Sequence, residues 1–145
     1  CPVCRNFTAG GVCPICASDR RDASMICVVA DPRDVAAMER SREYQGTYHV
    51  LHGVFNPMKN QGMNDVTLAQ LVSRLTEHNE IHEVIMATNQ TAEGNATALY
   101  VSRLLANSDI KVTRLASGLP MGSDIEFTDD LTLASALKGR VDISS

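Results

Sequence analysis

From residue 25 onward, short apolar runs alternate with amphipathic stretches. Met25-Ile26-Cys27-Val28-Val29 is a continuous apolar run, long enough for a strand buried on both faces and too short for a helix. Asp31-Pro32 then offers an N-cap followed by proline at the first helical position, and Val35-Ala36-Ala37-Met38 supplies the apolar side of a short helix. Thr47 to Leu51 reads as a second strand. Asn64 or Asp65 caps a second helix in which Leu68, Leu71, Val72 and Leu75 recur at i, i+3, i+4 and i+7, the spacing of one buried stripe. Val84 to Ala87 is a third strand, Glu93 to Leu105 a third helix, and Ile110 to Leu115 a fourth strand. A last helix runs from Asp129 to Lys138, with Gly139 as its C′ residue. Strands joined by helical crossovers of this length pair in parallel. The pattern therefore predicts an α/β fold, a parallel sheet with helices on both faces.

Residues 1–22 do not follow this pattern. Cys1-Pro-Val-Cys4 and Cys13-Pro-Ile-Cys16 are near-identical knuckles, with the turn signal Thr8-Ala9-Gly10-Gly11 between them. Within each knuckle two sulfurs can reach one ion, and two knuckles complete a closed tetrahedral thiolate shell. A closed shell leaves no place for a substrate water, so one structural zinc on Cys1, Cys4, Cys13 and Cys16 is the expectation. Two other readings compete. Paired disulfides would need an oxidising compartment, and a thioredoxin-like redox motif would place a single Cys-x-x-Cys at a strand-to-helix junction. Cys27, inside an apolar strand, reads as a buried core thiol.

The 145 residues allow one main core plus a small appendage, and the 44% hydrophobic and 21% charged fractions are those of a soluble globular protein. No apolar run reaches the length of a membrane span, and the cysteine usage fits a reducing compartment, the cytoplasm. The formal net charge is −4 and falls further once four thiolates bind one zinc. Any DNA contact must then come from a local basic patch such as Arg20 and Arg21. With three tyrosines, three phenylalanines and no tryptophan, stacking platforms for single-stranded bases are scarce. There is no Gly-x-x-x-x-Gly-Lys phosphate loop and no legible Ser-His-Asp set. His49 and His52 would alternate across a strand, so packed or exposed histidines are expected there, with His78 and His82 at the surface.

Thr88-Asn89-Gln90-Thr91-Ala92-Glu93-Gly94-Asn95 follows the third strand and opens the third helix. The stretch resembles the Toprim signature, in which an Asp-x-Asp pair, a Glu-Gly-Glu turn and a glutamate ending the first strand together hold Mg²⁺. Combined with the four cysteines, with Val28-Val29-Ala30-Asp31-Pro32-Arg33-Asp34-Val35, Tyr48-His49-Val50-Leu51 and Gly118-Leu119-Pro120-Met121-Gly122, the whole chain resembles the RecR recombination-mediator family. The resemblance divides the chain into a four-cysteine zinc finger (1–22), a Toprim-like domain (23–127) and a C-terminal helix and tail (128–145). It implies a non-catalytic role in DNA repair and recombination, with RecO and RecF type partners that load recombinase at single-stranded gaps, and a ring-like tetramer. It also implies an upstream helix-hairpin-helix segment that supplies DNA contacts. The opening on Cys1 rather than methionine fits a missing N-terminal segment, and so DNA binding is expected only in the full-length context.

The departures from the signature are specific. Ala30 stands at the first-strand glutamate, Asn89 and Thr91 at the Asp-x-Asp pair, and Asn95 at the second glutamate of the turn. Only Glu93 remains. Mg²⁺ needs several hard oxygen ligands, usually with one or two carboxylates, so weak binding or none is expected. For Asp34 the resemblance implies DNA or RecO contact, and the local alternative is an acid opposing the helix dipole; Glu93 carries the same alternative. An active Mg²⁺-dependent Toprim nuclease or primase is the competing function, and a zinc-stabilised interaction module outside DNA repair is a third.

Overall fold

β1, Asp22–Val29, sends alternate side chains to opposite faces of a sheet. Ile26 and Val28 enter one buried cluster with Leu51, Leu68, Leu71, Leu75, Val84 and Val101. Cys27 and Val29 enter another with Val35, Tyr48 and Val50. The apolar part of β1 thus has a core on each side, as the unbroken run Met25 to Val29 requires. The computed structural model describes residues 1–53, 68–89, 91–116, 118–120, 122 and 124–143.

β1 pairs in parallel with β2 (Gly46–Val50) and with β3 (Glu83–Met86), and β3 pairs in parallel with β4 (Lys111–Arg114). The order across the sheet is β2-β1-β3-β4. One face is covered by α3 (Leu68–Glu77) and α4 (Ala92–Leu104), the other by α2 (Pro32–Ser41) and by α1, a single turn at Pro14–Ala17 that contributes Ile15. Of the expected stripe α3 buries Leu68, Leu71 and Leu75, with Val72 only half-buried, each buried leucine contributing roughly 1.5–3 kcal/mol over an exposed one. The cap expected at Asn64 or Asp65 lies outside the described residues, as do Gln90 and Met121.

α2 starts as its sequence dictates. Asp31 caps it, accepting from the Arg33 amide at 2.8 Å, while Asp34 reaches back to the Asp31 amide at 3.2 Å, a reciprocal capping box. The helix ends on Arg42 in the left-handed region, φ 58°. The chain forms two units, Cys1–Arg114 and Leu115–Ser145. The second holds a 3-10 turn, Ile125–Phe127, and α5, Asp130–Lys138. Gly139 is the C-cap rather than C′: its φ is −94°, and its amide still closes a helical bond to Ser135 at 2.9 Å.

The cysteine unit belongs to the first of these. The Val50 amide of β2 donates to the Cys4 carbonyl at 2.7 Å, so the first knuckle lies along the outer side of β2, and all five β2 residues are buried. No helix among the described residues is long and apolar enough to cross a membrane.

Candidate functional site

Each knuckle is a hydrogen-bonded turn. The Arg5 amide closes the first onto the Cys1 carbonyl at 2.9 Å, with Arg5 at φ 68°, and the Ala17 amide closes the second onto Cys13 at 3.0 Å. Pro14 fits here because α1 begins at that residue, where no amide hydrogen is needed. The sulfurs of Cys1, Cys4, Cys13 and Cys16 converge to within 4.8 Å of one another. Cys4 Sγ and Cys13 Sγ are 3.6 Å apart, against about 3.8 Å for the edge of a tetrahedron with 2.3 Å zinc–sulfur bonds. The Cys13 amide points at Cys1 Sγ from 3.4 Å, the kind of donor that stabilises a bound thiolate. The Cys4 thiol is pulled down, chiefly by its hydrogen bond with Cys16, with the Asn6 backbone, Cys13 and Arg74 adding to it against burial. Four soft ligands in this arrangement fit one tetrahedral zinc with a closed shell, a structural site.

Arg74 of α3 stands beside this unit, and no spacing in the sequence singled it out. Its Nη1 donates to the Tyr48 carbonyl at 2.6 Å and to the Val3 carbonyl at 3.5 Å, and Nη2 donates to Thr47 Oγ1 at 3.1 Å. The one available hint is that Arg74 immediately precedes Leu75 of the buried stripe, so that its stem starts at the rim of the packed face.

A second candidate site lies at the carboxyl ends of the strands. The order β2-β1-β3-β4 reverses direction between β1 and β3, the switch point where doubly wound sheets bind ligands. β1 is followed there by Ala30 and β3 by Ala87-Thr88-Asn89; Thr91 caps α4, its hydroxyl accepting from the Gly94 amide at 3.0 Å. Thr88 Oγ1 donates to the Gly94 carbonyl at 3.0 Å and closes the loop. Gly94 is indispensable, because a Cβ there would stand 2.0 Å from the Asn89 carbonyl oxygen. Glu93 occupies the first turn of α4. Asp31 does not replace the missing first-strand carboxylate: its side chain is held at Arg33, on the backbone amide and, at 3.0 Å, on Nε. Among the described residues the four cysteines are the one cluster of three or more His, Cys, Asp or Glu able to share an ion.

Residues 1–18 match the family model of the RecR Cys4-zinc finger domain, residues 24–116 that of the Toprim domain and residues 118–141 that of the RecR C-terminal region. The Recombination protein RecR of Bifidobacterium adolescentis is 53% identical over 140 residues, 97% of this chain and 70% of the relative. Those of Levilactobacillus brevis and Enterococcus faecalis are 50% and 52% identical over 143 residues, 99% of this chain and 72% of each relative. This chain belongs to the RecR family. The RecR zinc finger matches the four cysteines read from spacing, and the RecR Toprim domain matches the parallel sheet read from periodicity.

The other candidate residues of this RecR chain have distinct surroundings. Arg21 forms an ion pair with Glu39 and donates to the carbonyls of Tyr44 and Gly46 at 3.4 and 3.3 Å, which ties the β1 start to α2 and β2. Glu39 also accepts from the Tyr48 hydroxyl. The Arg21 guanidinium first, then that hydroxyl, hold the Glu39 carboxyl below the usual carboxylate range. Arg20 is exposed. Asp34 is half-buried in the capping box. His49 is buried within β2, whereas His52 is exposed at φ 61°, with Phe7 tilted against it at 5.5 Å between ring centres. Burial pushes the Cys27 thiol up to about 12, with Asp34 adding to the shift, which makes it an inert core residue.

Proposed function

We propose that this chain is the zinc and Toprim part of a non-catalytic mediator of DNA recombination and repair. It acts in the cytoplasm, within a ring-like tetramer, with RecO and RecF type proteins to load recombinase at single-stranded gaps, and it contacts DNA in the full-length context. One observation carries the non-catalytic part of this reading. At the strand-end crevice, where a Toprim enzyme would gather carboxylates, the chain presents Ala30, Asn89, Thr91 and Asn95, with Glu93 alone remaining of the set. One carboxylate does not make a Mg²⁺ site for phosphoryl chemistry, which needs several well-placed oxygen ligands. The names of the relatives, recombination proteins, support the same reading. Asp34, Glu93 and Arg20, at the α2 and α4 starts and beside the zinc unit, are the proposed contacts for partner protein or DNA, with Arg21 beside them.

The test uses the full-length protein with a RecO-type partner and gapped DNA coated with single-strand binding protein. The expected result is partner binding and faster recombinase filament growth, with no strand cleavage and no primer synthesis at millimolar Mg²⁺. Mg²⁺-dependent cleavage or synthesis that Glu93→Gln abolishes would overturn the mediator reading in favour of a Toprim enzyme. Failure to bind any such partner would favour an interaction module outside repair.

A further inference from the structure

A zinc ion with four thiolates carries a surplus of two negative charges, and such charge in a partly desolvated place needs an answering cation. Arg74 is placed to supply it. Its half-buried head lies between the Val3 carbonyl, inside the first knuckle and flanked by the ligands Cys1 and Cys4, and the Tyr48 carbonyl of β2. Arg74 also lines a cleft with Pro2, Val3 and Arg5 on one side and Gln70, Ser73 and Glu77 on the other, the seam between the zinc unit and α3; Glu77 lines the same cleft but forms no ion pair with Arg74. The ion pairs among the described residues are Arg21 with Glu39, Arg33 with Asp31 and His78 with Glu80, so none of them brings a carboxylate to Arg74. Burial works against its protonated form, while Cys16, Cys4, Tyr44 and Cys13 favour it.

We propose that Arg74 is the outer-sphere cation of the zinc centre, a positioning residue that offsets the thiolate charge and couples metal occupancy to the packing of α3 against β2. Each side then depends on the other. Zinc gives the guanidinium its counter-charge, and the guanidinium strengthens the site while clamping the Val3 turn onto Tyr48.

Two variants separate this from a purely structural role. Arg74→Gln keeps a planar hydrogen-bonding head without the charge, and Arg74→Lys keeps the charge without the fork. Zinc affinity is read on the purified protein by competition with a chromophoric chelator. The expected loss for Arg74→Gln is about 10–100-fold, the usual cost of removing an outer-shell partner, with Arg74→Lys losing clearly less. A Gln variant within about twofold of the parent overturns the proposal, and so does a Lys variant as weak as the Gln variant. If Arg74→Gln does not fold, amide exchange on the parent protein decides. Removing zinc is expected to speed exchange in residues 71–77 and 46–50 as well as in residues 1–18. Unchanged protection of α3 and β2 would overturn the coupling.

Discussion

Single atoms decide several positions in this fold. Gly94 is required by the approach of the Asn89 carbonyl, 2.0 Å from where a Cβ would stand. That neighbour is backbone and cannot swing away as a flexible side chain would. Gly94→Ala is expected to cost about 1–3 kcal/mol, the range for overpacking a tight site, and a denaturant titration would show it as a lower midpoint with unchanged slope. Glu39 sets a pH dependence. Arg21 holds its carboxyl below the usual range. Between the folded and unfolded pKa the unfolded chain therefore binds a proton that the native chain does not. The contribution is present above the unfolded value and is lost as pH falls through the folded one. Glu39→Gln should thus lower the melting temperature near neutral pH, and the gap to the parent should close under acid. Melts of both proteins between about pH 7 and about pH 3 check this; a constant gap would mean that the charge of Glu39 contributes nothing.

At the scale of elements, Asp31 fixes where α2 begins through a bond to the Arg33 amide and a reciprocal one from Asp34. Asp31→Ala should cost about 1 kcal/mol, seen as faster amide exchange in the first turn of α2. The Asp31 cap, like the leucine stripe of α3 and the two-faced run of β1, was legible because propensity and periodicity are local; the return bond from the Asp31 amide to Asp34 was not read from the sequence. Other parts were not. β1 begins at Asp22, three residues before its apolar run, because ladder bonds need only backbone: the Asp22 amide donates to the Gln45 carbonyl at 2.7 Å. α1 is four residues long, too short to show any period. The zinc ligands could be read in full, since metal geometry constrains spacing directly. Arg74 could not, because its partners lie 26 residues back on β2 and 71 back in the first knuckle, and nothing local announces a contact over that distance.

For the whole molecule, the sheet order β2-β1-β3-β4 puts the switch point at the ends of β1 and β3, and the mediator reading proposed above rests on Ala30, Asn89, Thr91 and Asn95 standing there in place of carboxylates. The same order leaves β2 outermost. Outer strands are usually kept short, charged or interrupted, because their unpaired amides and carbonyls can recruit another chain. β2, Gly46–Val50, carries no proline and no lysine, arginine or carboxylate, though Arg74 and the Tyr44 hydroxyl take its Tyr48 and Thr47 carbonyls. All five of its residues are buried, and along its outer side the first knuckle supplies a backbone partner, Cys4 accepting from Val50. The first knuckle of the zinc unit thus covers part of the outer side of β2. Chelated protein is expected to scatter light and bind an amyloid-reporting dye after a lag, while zinc-loaded protein at the same concentration stays clear. Chelated protein that remained monomeric would show that β2 has some other protection. For this chain, zinc loss is then expected to matter less as the loss of a finger than as the start of aggregation.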